Sequence, residues 1–198
     1  MLKPGMTCAV GMHAREGEET MKRMRRIGRV CILLVGVAAG MIPSLAQAPL
    51  ATVAHVDLTR YAGLWYEVAR YPNRFERMCD RNVTATYTLR PDGKIGVENS
   101  CLRSDGSRTL VRGWARVADP QTFAKLKVTF FWPFFGNYWI LDLSPDYRYA
   151  VVGEPGRKYL WILSRTPQMD PEQYSGITSR LAAMGYDASR LVRVRQSP

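Results

Sequence analysis

From residue 64 onward, apolar and polar residues alternate in short runs separated by Gly, Pro, Asp and Asn. Period-two alternation is the mark of strands with one face in a core. The first run is Leu64 to Tyr71, ended by Pro72-Asn73. In the second, Asn82 to Leu89, Val83, Ala85, Tyr87 and Leu89 alternate with Thr84, Thr86 and Thr88. Pro91-Asp92-Gly93 then predicts a turn, because Pro presets φ and Gly accepts a positive φ. Ile95, Val97 and Asn99 share one face of the third run, with Glu98 and Ser100 on the other. After Asp105-Gly106 comes Leu110 to Val117, where Arg112, Trp114 and Arg116 read as solvent-facing and place Trp114 outside. The fifth run, Phe123 to Phe130, sets Leu126, Val128 and Phe130 opposite Lys125, Lys127 and Thr129. Phe131 to Gly136 reads as a loop, followed by strands over Tyr138–Leu143, Tyr147–Gly153 and Lys158–Arg165.

One helix stands apart. Asp170 is a good N-cap and Pro171 suits the first helical position. Tyr174, Ile177, Leu181 and Met184 then form one apolar stripe, and Gly185 ends it. A short strand over Arg190–Val194 follows. The expected fold is all-β: eight meandering antiparallel strands closed into an up-and-down barrel, wide enough for one small ligand, with the helix packed outside. A β-sandwich with a filled core is the alternative that the pattern leaves open.

The first 48 residues follow another pattern. Lys22, Arg23, Arg25, Arg26 and Arg29 precede an uncharged stretch from Val30 to Ile42, and Ala46-Gln47-Ala48 is a small-x-small site. That combination predicts a secretory signal peptide cleaved after Ala48, so residues 1–48 are an N-terminal extension and 49–198 one domain. Met21 stands just before the basic cluster, as an alternative start. Cys31 lies at the beginning of the apolar stretch, whereas a lipidation cysteine belongs at its end. No apolar run reaches the 18 or so residues of a membrane span.

Charge and cysteines add to this. The chain has 28 Lys and Arg against 17 Asp and Glu. Seven basic and three acidic residues fall in the first 48, leaving 21 against 14, a formal +7, for the domain. That balance favours anionic surfaces such as phospholipid head groups but is too diffuse to name a partner. Cys79 and Cys101 are the two cysteines of the domain, and an exported domain is expected to bridge such a pair. If Pro91-Asp92-Gly93 sets the register, however, Cys101 faces Val83, about 13 Å along the strand from Cys79. A disulfide needs Cα atoms within about 7 Å, so the bridge requires the chain before Asn82 to fold back.

Three motifs carry a family resemblance. Gly63-Leu64-Trp65 opens the first strand; Pro145-Asp146-Tyr147 lies in a later turn; Arg165 closes Leu160-Trp161-Ile162-Leu163-Ser164. In this order and spacing they resemble the three short conserved regions of the lipocalins. Gly63 to Arg70, Arg74-Phe75-Glu76-Arg77 and Tyr159 to Pro167 look like the bacterial branch called Blc, with apolipoprotein D and plant temperature-induced lipocalins as relatives. The resemblance covers roughly residues 57–196. It implies a calycin barrel in which Arg165 lies across Trp65 at the closed end, with Gly63, Asp146 and Tyr147 as structural motif residues. It also implies lipid binding, lysophospholipids and fatty acids first, for lipid storage or transport in the cell envelope under stress. Those bacterial relatives are commonly outer-membrane lipoproteins and pair as homodimers. The implied location is exported and periplasmic, associated with the outer membrane.

The inward phase of the strands names a pocket: Ala85, Tyr87, Val97, Asn99, Ala115, Leu126, Val128, Trp139 and Tyr149, with Asn99 the polar member. At the mouth, Arg74 and Arg77 could meet a phosphate and Phe75 could lean over an acyl chain. Phe131-Trp132-Pro133-Phe134-Phe135 could line the mouth, touch a membrane or form a dimer contact. No cofactor or metal is expected: haem would want an inward His, and the domain's one His, His55, precedes the first strand. Catalysis on a lipid or epoxide is the rival reading. It finds no nucleophile elbow and no His pair. Nucleic-acid binding is a second rival, against which the expected export signal and the apolar inward face argue.

Overall fold

The computed structural model describes residues 48–197, so the signal peptide expected over 1–48 lies outside the described residues apart from Ala48. A segment from Ala48 runs along the barrel wall, Val53 N–H donating to Ile140 O and Val56 N–H to Thr122 O. A four-residue helix, α1 (Leu58–Tyr61), follows. It is too short to leave a periodic signature, but Asp57 caps it by accepting from Thr59 and Arg60 N–H.

The strands are β1 (Gly63–Arg70), β2 (Arg81–Leu89), β3 (Ile95–Leu102), β4 (Arg108–Val117), β5 (Lys125–Phe131), β6 (Phe134–Leu143), β7 (Tyr149–Gly153) and β8 (Leu160–Ser164). Each pairs antiparallel with the next, and β1 pairs with both β2 and β8, which closes the barrel. A two-residue strand β9 (Val192–Arg193) adds to the outside of β1. Helix α2 (Pro171–Leu181) starts at the predicted cap, where Asp170 accepts from Glu172 and Gln173 N–H. It ends at Leu181 rather than at Gly185, which lies beyond with φ +78°.

Two apolar layers hold the molecule. The inner one fills the lower barrel with Trp65, Tyr61, Ile95, Leu126, Ile140 and Val152, all fully or nearly buried. The outer one lies between α2 and the wall made by β1 and β6–β8, where Ile177 and Leu181 meet Val68, Leu141, Val151, Leu160 and Ile162.

Several strand ends differ from expectation, β5 and β8 each starting two residues late among them, and two differences change the picture. The aromatic run Phe131–Gly136 is not a loop. Phe131 pairs with Phe134 across Trp132-Pro133, a cis peptide, so β6 begins at Phe134. Aromatic side chains favour extended backbone and carry the strands to the tip. β7 starts two residues late, because Tyr147 sits at φ +62° in the turn after Pro145.

Candidate ligand-binding site

At the closed end, Trp65 is fully buried and its indole N–H donates to Tyr61 O at 2.8 Å. The Arg165 guanidinium lies over that ring at 3.8 Å, a cation–π contact. Its N–H groups also donate to the carbonyls of Arg60, Tyr61, Ala62 and Leu64, so it caps the C-terminus of α1. Gly63 is needed here: its φ is +95°, and a Cβ would meet the guanidinium. Tyr147 O–H accepts from Asp57 N–H and its ring lies under Arg60, while Asp146 accepts from Arg148 N–H. These motif residues stitch three segments together and do not touch the cavity.

Above this floor, three tyrosine hydroxyls meet inside the barrel. Tyr138 Oη lies 2.7 Å from Tyr61 Oη and 2.8 Å from Tyr87 Oη. Burial pushes all three phenols up from their ordinary pKa, so they stay neutral. The cavity over them is about 100 Å³ and mostly apolar. Its walls include Ala85, Val97, Ala115, Leu126, Val128 and Phe130 on one side and Val152, Trp161 and Leu163 on the other.

The polar residues of the cavity lie towards its mouth. Glu67 is only 4% exposed, facing inward from β1 two residues beyond Trp65. Arg70 donates to it at 2.7 Å and reaches Glu76 at 3.1 Å. Asn73 and the Trp161 indole N–H also donate to Glu76. Burial, and then the Glu76 carboxylate nearby, push the Glu67 carboxyl up to about 8, with Arg70 opposing them. Asn99 Oδ1 is buried with no hydrogen-bond partner. Such atoms are rare, and this one faces the space a ligand would fill.

Of the residues named from sequence, Ala85, Tyr87, Val97, Asn99, Ala115, Leu126 and Val128 come together around the cavity. Trp139 and Tyr149 do not. Trp139 packs outward in the layer beneath α2, with Lys125 Nζ 4.6 Å from its ring. Tyr149 also faces out, its hydroxyl beside Arg180 at 3.0 Å. On β6 the inward residue is Tyr138; on β7 it is Val152. Both faces of these strands are buried, so apolar residues follow one another without alternation and the phase is unreadable. Sequence reasoning also missed Glu67, Glu76, Val83, Phe130, Trp161 and Leu163. Glu67 had a signal: it shares the phase of Trp65.

At the mouth, Phe75 is 54% exposed and its ring lies 5.5 Å from Tyr159, which stacks on Trp161. Arg74 lies over Phe75 at 5.2 Å, and Arg77 is exposed. Below the mouth Cys79 and Cys101 are bonded, with Cα atoms 5.5 Å apart. The fold-back that this needs is the turn before β2, where Cys79 N–H donates to Glu76 O and Asp80 N–H to Leu102 O, followed by a β-bulge at Asn82, φ +54°, where the ladder shifts between Arg81 and Thr84. A larger hollow of about 260 Å³ lies outside the barrel, between Pro49–Ala51 and the end of α2. It shares none of the interior polar groups.

A closed up-and-down meander with an outer helix, a Trp–Arg clasp at one end and a cavity opening at the other defines the calycin class of barrels. The chain matches the family model of the lipocalin-like domain over residues 56–196, and it belongs to the lipocalin family. It is 44% identical over 153 residues to temperature-induced lipocalin-1 of Arabidopsis thaliana, covering 73% of this chain and 82% of that one. It is 42% identical over 174 residues to outer membrane lipoprotein Blc of Escherichia coli K12, covering 85% and 98%. Apolipoprotein D of Mus musculus is 31% identical over 83% of this chain and 90% of its own. Among solved structures, insecticyanin from the tobacco hornworm Manduca sexta superposes with a TM-score of 0.61 at 24% identity. That match covers 76% of this chain and 86% of the insecticyanin chain, and it speaks for the fold alone.

Proposed function

We propose that this lipocalin carries a single-chain lipid, a lysophospholipid or a fatty acid, and releases it unchanged. The observation that carries the reading is an apolar cavity with an unpaired buried acceptor, Asn99 Oδ1, beneath its mouth. Burial of an acyl chain against such walls contributes about 0.8 kcal/mol per CH₂. A lysophospholipid's free glycerol hydroxyl supplies the donor that Asn99 lacks, and Arg74 and Arg77 await its phosphate outside. At about 100 Å³ the cavity is below the roughly 300–1,000 Å³ of most ligand clefts, so entry requires Phe130 and Trp161 to swing aside. The place of action we propose is the cell envelope, after export, in lipid storage or transport under stress. The Blc and temperature-induced relatives and the signal peptide expected from the N-terminal pattern support this. Among the described residues no helix is long and apolar enough to cross a membrane.

The test is a titration with lysophosphatidylethanolamine, then oleate, following displacement of a fluorescent acyl-chain probe. We expect saturable one-site displacement at micromolar concentration or below. Ala115→Phe should abolish it, and Asn99→Leu should weaken the lysophospholipid about tenfold while leaving oleate little changed. No displacement by either lipid would overturn the reading.

A further inference from the structure

The connections β1–β2, β3–β4, β5–β6 and β7–β8 share the open end of the barrel, because the strands are an antiparallel meander. They are not level. Trp139 of β6 pairs with Gly153, the last residue of β7, and β6 continues five residues further to Phe134. Measured along the strand, β6 runs about 17 Å past the end of β7, and β4 on the other side of the hairpin runs on to Arg108. Its tip carries Phe131, Trp132 and Phe134 at 77%, 75% and 79% exposure, a contiguous apolar patch of the kind that marks a contact surface. The neighbouring strand β4 adds exposed Leu110 and Val111. Around the same end stand Arg74, Arg77, Arg103 and Arg108, none within ion-pairing distance of a carboxylate among the described residues.

We infer that the open end is a docking surface for an anionic phospholipid bilayer. The Phe131-Trp132-Pro133-Phe134 tip enters the interfacial layer and the four arginines lie over lipid phosphates. Trp is the side chain best suited to that layer, apolar in body with one N–H donor. Partition of such a surface grows with apolar area and with attraction to anionic lipid. A second copy of the chain fits less well. A twofold interface through this tip would set the arginine ring against its own image, which repels. Docking turns the cavity mouth toward the bilayer and does not depend on which lipid the cavity holds.

The experiment is sedimentation of the full chain with vesicles of phosphatidylglycerol and phosphatidylcholine, against vesicles of phosphatidylcholine alone. Trp132→Ser/Phe134→Ser should lower partition at least tenfold relative to the unaltered chain, with the N-terminal segment common to both. Arg103→Ala/Arg108→Ala should reduce the preference for the anionic vesicles about threefold or more. A bromolipid quencher should dim the tryptophan emission, and Trp132→Phe should remove most of that quenching. Melting temperatures and probe displacement in vesicle-free solution should not change in the tip variant, so docking and cargo fail separately. Equal partition of the tip variant, or unquenched Trp132, would overturn docking. So would a dimer in sedimentation equilibrium that the tip variant dissolves, which would assign the tip to a second copy.

Discussion

The two halves of the barrel wall are built differently. β2–β5 have one face in the barrel and the other largely in water, where Glu98, Arg112 and Lys127 point. β1 and β6–β8 have no wet face over much of their length: Ile140 and Val152 point in, while Leu141, Val151, Leu160 and Ile162 point out beneath α2. Many of the cavity residues, including the small Ala85 and Ala115, belong to the thin half. The lesson is a division of labour. The thick half supplies packing on two sides and the thin half supplies room, because a wall backed only by water can shift without breaking a second core.

That division can be tested by one truncation in each half. Leu160→Ala opens a hole in the layer beneath α2 and should cost about 2–5 kcal/mol of unfolding free energy. Val97→Ala enlarges a space that already exists and should cost about 1 kcal/mol. Urea denaturation gives both numbers, and equal losses would mean that the two halves are one core. Removing the bridge by Cys79→Ser/Cys101→Ser frees a separation of 22 residues and should cost about 3 kcal/mol, read by the same melts with and without reductant. Arg165→Met removes the cover of Trp65 and leaves α1 carbonyls without a donor. We expect a loss of about 2 kcal/mol, with unchanged probe displacement, since the clasp lies below the cavity.

The last effect is nil at acid pH and appears as a slope. Folded Glu67 keeps its proton up to about 8, while in the unfolded chain it is lost near the ordinary 4.5. The stability due to that proton is complete below about 4.5 and disappears as pH rises through 8. Glu67→Gln keeps a neutral side chain and should flatten this part of the pH profile. A profile unchanged by the substitution would show that Arg70 holds Glu67 ionised throughout.

The same division decided what could be read from the sequence. In β2–β5 the outward set is mostly polar, with Leu110 and Trp114 of β4 as exceptions, and the inward set from Ala85 to Val128 follows from alternation. In Tyr138-Trp139-Ile140-Leu141 both neighbours of each residue are buried, so parity has no chemical mark, and Trp139 was assigned to the wrong face. Tyr149 failed for the same reason. The bridge between Cys79 and Cys101 depends on the turn before β2 and the bulge at Asn82, neither of which a side-chain pattern reports. The Glu67–Arg70–Glu76 cluster depends on how the β1–β2 connection closes over the barrel. The cap and stripe of α2, by contrast, are local and were plain from Asp170 to Leu181.

The three linked tyrosines, of which Tyr87 and Tyr138 line the cavity, have a consequence in proton counting. Three hydroxyls carry three protons, and two short contacts use two of them. Whichever way the chain of bonds is oriented, one O–H is left with no acceptor among the described residues. Where that spare O–H belongs to Tyr87 or Tyr138, both of which line the cavity, it is a hydrogen-bond donor facing the cargo space. A saturated chain that ended there would leave that donor idle, whereas one with an oxygen at its far end would be held at both ends.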